Sequence, residues 1–197
     1  MYGYDMALAS TVHGDTREIA RGLRERDVAV VQMLVEEYQD RLVRYLVYVL
    51  GRRDGVDDLV QETWLRVMER GKSYDGQSRF EPWLFTVARH LAIDFLRRRR
   101  EVSLDAEDDG RPLVAAPVSQ GMSPFAMAAR TEDAERLAAG LQRLQGVQRE
   151  ALVLRFLEDM SLQEIAAVVH APVPTVAARI YRGLAALRSQ MEEKHER

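Results

Sequence analysis

Apolar residues recur along this chain at intervals of three and four, with no sustained alternation at intervals of two, so the sequence reads as one helix after another. From Val31 they fall at Val31, Leu34, Val35, Tyr38, Leu42, Tyr45, Leu46 and Val49, a stripe ending at Gly51 that predicts a long amphipathic helix. A weaker stripe of Ile19, Ala20 and Leu23 predicts a shorter helix ahead of it, over 16–25. Beyond the Gly51–Gly55 break, Val56, Leu59, Val60, Thr63, Trp64 and Val67 form a third buried face, with Gly71 in the helix-stop position. The loop GKSYDGQSR follows. Ser78 and Glu81 then stand at capping-box spacing, with Pro82 tolerated in the first turn, and open a fourth helix that runs to Arg100. Its inward face is Phe80, Leu84, Val87, Ala88, Leu91 and Phe95.

Residues 101–130 lose this periodicity and mix acids with Pro, Gly and Ser, which reads as a flexible acidic linker. After it, Leu137, Leu141 and Leu144 mark one helix and Val153, Phe156 and Leu157 a second. Ser161 and Glu164 make another capping box before a short helix with Leu162, Ile165, Ala166 and Val169 inward. The turn HAPVP leads to a last helix facing inward with Val176, Ile180, Leu184, Leu187 and Met191. The predicted fold is all-α: two small helical domains, 15–100 and 131–191, joined by the linker, with frayed tails at 1–14 and 192–197.

Composition narrows the function classes. Apolar residues are 47% and charged residues 30%, values of a globular chain rather than a disordered one. There is no cysteine, which excludes disulfide scaffolds, thiolate metal sites and cysteine nucleophiles and suits a cytoplasmic protein. No apolar run approaches a membrane span, and the start MYGYDMALAS lacks the basic-then-apolar order of a signal peptide, so no membrane insertion is expected. The four histidines, His13, His90, His170 and His195, have no metal-ligand spacing, and neither a phosphate-binding glycine loop nor a nucleophile elbow is present. No catalytic site, metal or cofactor is called for.

The net charge of −3 conceals a segregation that carries more information. Residues 54–69 hold five acids against Arg66 alone, whereas 79–100 hold six arginines against Glu81 and Asp94. Neighbouring segments therefore bear opposite fields. In the acidic one, Asp58, Gln61, Glu62 and Leu65 are spaced so as to share a stripe rotated away from the buried face, which reads either as a docking face or as an ordinary solvated one. In the basic one, Trp83, Thr86, His90, Ile93 and Arg97 share a face apart from the core stripe. Rings beside arginines suit single-stranded nucleic acid, since bases stack on the rings while guanidinium groups meet phosphates. Trp83 borders the core, so burial and base contact both fit it; Tyr74, flanked by Lys72 and Arg79, is the expected exposed aromatic of the loop. The short helix, turn and longer helix over 161–190 have the shape of a helix-turn-helix. The outer face of its last helix carries Thr175, Arg179, Tyr181 and Arg182, with no acid between His170 and Gln190.

The series DDLVQETWLRVME, a loop, FEPWLFTVARHLAIDFLRRRR, an acidic linker and LQGVQREALVLRFLEDMSLQEIAAVVHAPVPTVAARIYRGLAALR closely resembles a bacterial RNA polymerase sigma factor of the extracytoplasmic-function type. The resemblance implies that the acidic stripe of Asp58, Gln61, Glu62 and Leu65 binds core RNA polymerase. It implies that Lys72, Ser73, Tyr74 and Arg79 in the loop, with Trp83, His90 and Arg97 on the helix, melt the minus-ten promoter element and capture an extruded base, a step that exposes the base's edge and faces to a pocket. The second domain would read the minus-thirty-five element through Thr175, Arg179, Tyr181 and Arg182, helped by Arg149. An anti-sigma factor is the implied partner beyond polymerase and promoter DNA, in a stress or envelope response, with the linker letting both domains close around it.

Three departures stand out. The usual Pro-x-Gly-Thr-Val-Lys-Ser-Arg appears here as Pro172, Val173, Pro174, Thr175, Val176, Ala177, Ala178, Arg179, without the lysine and serine donors. His170 replaces a turn glycine, a place histidine tolerates better than most residues, and His90 stands where asparagine is usual. A two-domain regulator with a sensory first domain is the rival reading, but such a sensor requires neither the acidic stripe nor the basic aromatic helix.

Overall fold

The computed structural model describes residues 15–103 and 136–192, and within them every regular element is helical. The first stretch contains α1 (Thr16–Glu25), α2 (Val28–Leu50), α3 (Val56–Arg70), a 3-10 turn (Gly71–Ser73) and α4 (Phe80–Ser103). The second contains α5 (136–142), α6 (Gly146–Phe156), α7 (Leu162–Val169) and α8 (Val173–Glu192). Most of the expected linker and nearly all of the two expected tails lie outside the described residues; 101–103 continue α4. No helix of the described residues is long and apolar enough to cross a membrane.

The ends of these helices follow from side chains at their borders. Asp15 and Asp27 accept amide hydrogens from Arg17 and Ala29, capping α1 and α2. Gly51 ends α2 in the left-handed region at φ 70°. Ser161 and Glu164 make both bonds of the capping box that opens α7, and His170 ends it at φ 49°, ψ 51°, so histidine does supply the left-handed turn. Helix α4 opens at Phe80, and the buried carboxylate of Glu81 meets Arg79 at 2.9 Å and Arg41 at 3.8 Å.

Gly71 also has a different task from the one its position suggests. Its backbone is right-handed helical, φ −54°, and α3 runs straight on into the 3-10 turn. Glycine is required there because α1 passes so close that a Cβ would lie 2.8 Å from the Leu23 Cβ.

The core of the first bundle is Leu34, Tyr38, Leu42, Tyr45 and Leu46 of α2 against Val56, Val60 and Val67 of α3 and Phe80, Leu84, Phe85 and Ala88 of α4. Edge-to-face pairs tie it together, Tyr38 on Phe80 and Tyr45 on Phe85. The same core continues into the second stretch through Val153, Leu154, Met160, Ile165, Val168, Val169 and Val176. A smaller cluster, Leu141, Leu144, Leu152 and Leu187, holds α5, α6 and α8. Helix α6 is embraced by α2, α7 and α8 along most of its length. Its last turn escapes them, and Phe156, expected inward, is 59% exposed. Leu184 of α8 is likewise partly exposed rather than buried.

Placing a methyl at Gly71 forces α1 away from the α3 terminus. Gly71→Ala is expected to lower stability by about 1–3 kcal/mol, the usual range for overpacking, despite the better helix propensity of alanine. Urea denaturation followed by circular dichroism measures it, and an unchanged midpoint would show that α1 can shift freely.

Candidate nucleic-acid and partner interfaces

The acidic stripe is built as the spacing implies. Helix α3 buries Val56, Leu59, Val60, Thr63, Trp64 and Val67, which turns Asp58, Gln61 and Leu65 outward, Leu65 half exposed. Glu62 takes a 2.8 Å bond from Arg66 one turn on, an accessible pair that leaves the surface acidic. Beside this stripe lies an apolar groove of about 290 Å³ lined by Leu23, Val28, Val31, Leu65 and Met68, with Arg26 and Glu69 at its rim. Val28, at 77% exposed, and Met68 belong to this surface and were not read from the sequence. The available signal was an apolar residue directly after the Asp27 cap, off the α2 stripe, and one three residues after Leu65.

The loop before α4 differs from expectation at Tyr74. Its ring is buried, 2% exposed, packed on Phe80 and Trp83, and its hydroxyl donates to the Ser78 carbonyl at 2.6 Å. Burial, reinforced by Glu81, pushes the phenol up to about 12. Tyr74 thus braces the loop and presents no open ring to a base. Gly76, at φ 73°, accepts from the Thr16 hydroxyl at 2.7 Å, which ties the loop tip to the start of α1. Lys72 and Ser73 stay exposed at the surface, Ser73 donating to the Arg70 carbonyl. Trp83 is half-buried in the same aromatic cluster.

Along α4 the cations fall into two groups. Arg97 is exposed and, among the described residues, pairs with Asp94 at 3.1 Å on the helix's own surface. Arg79 instead donates to Glu81 at 2.9 Å and approaches the Asp159 carbonyl and Glu164 of the second stretch at 3.4 and 3.7 Å. Burial tends to disfavour the Glu81 carboxylate, but the Arg79 hydrogen bond and the charges of Arg79 and Arg41 outweigh it and hold its pKa below the ordinary carboxylate value. His90 meets His170, Nε2 to Nε2, at 3.3 Å.

In the second domain the outer face of α8 presents Tyr181, 77% exposed, and Arg182, with Thr175 and Arg179 partly exposed beside them. Arg149 does not join this face. It lies against the end of α2, donating to the Gln142 carbonyl and Oε1 at 3.1 and 3.0 Å and to the Val49 carbonyl at 3.4 Å. That burial lowers its pKa from the usual arginine value. A cation at a helix C-terminus is well placed against the dipole, so Arg149 acts here as a brace between α6 and α2.

Known proteins align with this arrangement. The family described as Sigma-70 region 2 matches residues 34–102, and the family described as Sigma-70, region 4, matches residues 134–187. The chain is similar to the ECF RNA polymerase sigma factor SigX of Bacillus subtilis, 30% identical over 164 residues that cover 82% of this chain and 83% of that one. It is also similar to SigW of the same organism, 29% identical with 81% and 88% covered. Among solved structures, the sigma factor RpoE of Bartonella quintana, in complex with the anti-sigma factor NepR, shares the fold with a TM-score of 0.70 at 22% identity, covering 82% of this chain and 96% of that one.

Burial, together with the neighbouring His170 and Arg89, holds the His90 imidazole below its ordinary value of 6.5. The unfolded chain therefore takes up this proton first as pH falls, and the contribution of His90 to stability, complete above 6.5, is lost as pH drops toward the folded value. Proton NMR of the ring, assigned by its absence in His90→Gln, should show a midpoint below 6.5 in the folded chain. A midpoint at or above that value would contradict the packing described.

Proposed function

Because the chain belongs to the ECF RNA polymerase sigma factors, which bind core RNA polymerase and direct transcription initiation at promoters, we propose that its exposed faces divide that work among three surfaces. The α3 stripe of Asp58, Gln61, Glu62 and Leu65, with the groove beside it, docks on the polymerase. The loop and α4, through Lys72, Ser73, Arg79, Trp83, His90 and Arg97, open the minus-ten element and hold the unpaired strand. Helices α7 and α8 read the minus-thirty-five element through Thr175, Arg179, Tyr181 and Arg182.

The observation that carries this division is the segregation of charge onto separate faces: acids and Leu65 exposed on α3, exposed Lys72 and Arg97 with the half-buried Trp83 at the loop and α4, and exposed Tyr181 with Arg182 on α8. An acidic apolar surface is repelled by DNA and suits a protein partner, whereas the basic faces suit phosphates. The chemistry of polymerisation belongs to the core enzyme, and the sigma factor supplies binding and strand opening. We assign the work to the cytoplasm, where bacterial DNA and polymerase reside. The Bartonella quintana neighbour is bound to an anti-sigma factor, and we extend control of that kind, in a stress or envelope response, to this chain.

Transcription from a fragmented genomic template with purified core polymerase, followed by mapping of start sites, tests the assignment as a whole. Asp58→Arg combined with Glu62→Arg is expected to weaken association with core polymerase by more than about tenfold while leaving helical circular dichroism unchanged, since both side chains are turned to solvent. Undiminished binding in a pull-down would remove α3 as the docking face.

For the upstream element, Arg182→Ala should lose about 1–3 kcal/mol at one promoter position if the guanidinium meets a base, or weaken all sequences alike with a smaller salt slope if it meets a phosphate. Ala177→Lys with Ala178→Ser, which restores the family's donors, should strengthen binding. Titrations against single-base promoter variants at two salt concentrations separate these outcomes, and no change in any of them would exclude α8 as the reader.

A further inference from the structure

The second domain rests on the first in one particular pose, and the pose covers some functional faces and leaves others open. Glu158, its side chain fully buried, meets Arg41 at 2.8 Å and Arg44 at 3.1 Å. Glu150 meets Arg89 at 2.8 Å and accepts from the Tyr45 hydroxyl at 3.0 Å. Helix α7 thereby lies along α4, the helix to which the proposed function gives strand capture. Arg79 and His90 are drawn into this contact. The α3 stripe and the outer face of α8 remain exposed.

One contact in this pose can change its charge near neutral pH. The His90 and His170 rings are nearly parallel, 9° apart, with centroids at 5.4 Å and their Nε2 atoms at 3.3 Å. The centroids are farther apart than the nitrogens by about two ring radii, so the rings meet edge to edge, nitrogen facing nitrogen. In that geometry a single proton between the nitrogens makes a hydrogen bond, whether the pair is neutral or carries one charge. A proton on each nitrogen sets two N–H groups, both on cations, against each other. The groups facing His90 are Arg89 and Asp94 of α4, Arg70 at the end of α3 and His170 at the end of α7. Both arginines add to the repulsion and Asp94 opposes it. The backbone of His170 is held in the left-handed turn that ends α7, and both rings are reached by solvent.

We propose that the His90–His170 contact is a proton-operated latch: with at most one proton between the rings the second domain stays over the Arg79–His90 stretch of α4, and a proton on each moves the balance about tenfold toward a lifted arrangement that uncovers that stretch. The functional consequence rests on α4 being the strand-capturing face. Histidine is the side chain whose ordinary titration lies in this range, and like charges at such a separation near the surface shift an equilibrium by roughly tenfold.

The full chain has no cysteine, so Asp40→Cys on α2 and Gln163→Cys on α7, both exposed, give a unique pair for spin labels. Pulsed electron–electron distance measurements should show one short distance above pH 6.5. The ratio of long to short distances should rise about tenfold as pH falls by one to two units. In His170→Asn, which keeps the left-handed turn but carries no charge, the short distance should persist at every pH. His170→Gln provides the same test should the asparagine variant fold poorly. A wild-type distance that ignores pH, or variants that open like the wild type, would overturn the latch.

The same samples, titrated with a fluorescein-labelled single strand rich in dA and dT, test the face beneath. Binding by the wild type should rise on acidification more than binding by His170→Asn, which retains His90. If the distance lengthens and the difference in binding does not appear, the latch stands and the assignment of strand capture to α4 fails.

Discussion

Two carboxylates of the second domain are carried out of water, Glu158 completely and Glu150 nearly so, and the relation between the domains follows from where they find partners. Arg41, Arg44, Tyr45 and Arg89 all belong to α2 and α4. Removing one side of such a buried pair costs about 3–5 kcal/mol, whereas replacing the whole pair by apolar residues is often neutral. The ion pairs therefore contribute little net adhesion, and they penalise every pose that leaves a carboxylate buried and alone. Adhesion comes from the apolar residues between them, Val153, Leu154, Met160, Ile165 and Val168, which share one core with Tyr45 and Leu84. Apolar contact is tolerant of sliding, and the two carboxylates supply the register.

That register decides which surfaces meet solvent. Because Glu158 follows α6 directly and Ser161 opens α7 three residues later, fixing Glu158 on Arg41 and Arg44 also fixes α7 across α4. The exposed acidic stripe, on α3, and the exposed basic stripe, on α8, then lie on helices that the clasp does not use. The pose leaves the proposed polymerase and upstream-DNA faces open while α7 lies along part of α4. Release of α4 requires a partner, or a proton, that favours the separated arrangement over this one, since only differential affinity shifts such an equilibrium.

Helix positions and most inward faces were legible because their cause is local: a period of 3.6 residues, Gly51 at a helix end, the Ser161–Glu164 box, and His170 in a turn that histidine can adopt. The stripe of Asp58, Gln61 and Leu65 was legible for the same reason. What could not be read depends on which distant segment arrives. Tyr74 sits among polar residues and reads as exposed, but its ring turns in to pack on Phe80 and Trp83 and is buried. Arg149 has the spacing of a surface cation until the carbonyl of Val49, a hundred residues earlier in the chain, meets it. Gly71 reads as a helix stop by its place after α3, whereas the close passage of Leu23 is what excludes a side chain there. In each case the residue type fits both readings, and the tertiary neighbour selects one.

The altered reading helix can be understood in the same terms. Alanine at 177 and 178 leaves the first turns of α8 without two donors of the family pattern, and the groups proposed to read DNA there are Thr175, Arg179, Tyr181 and Arg182. If each missing donor represents about 1–3 kcal/mol of discrimination, an isolated domain would read duplex DNA poorly. In a complex already held on the promoter by polymerase and by the opened minus-ten element, the second domain binds intramolecularly, at an effective concentration of about millimolar for a short connection. On the proposed assignment a weak reader then suffices for occupancy, with phosphate contacts from Arg179 and Arg182 setting its position. Sequence choice in this protein would consequently rest more on strand opening at α4 than on the upstream helix, which gives the cover over α4 more influence on initiation than an equally strong contact at α8 would have.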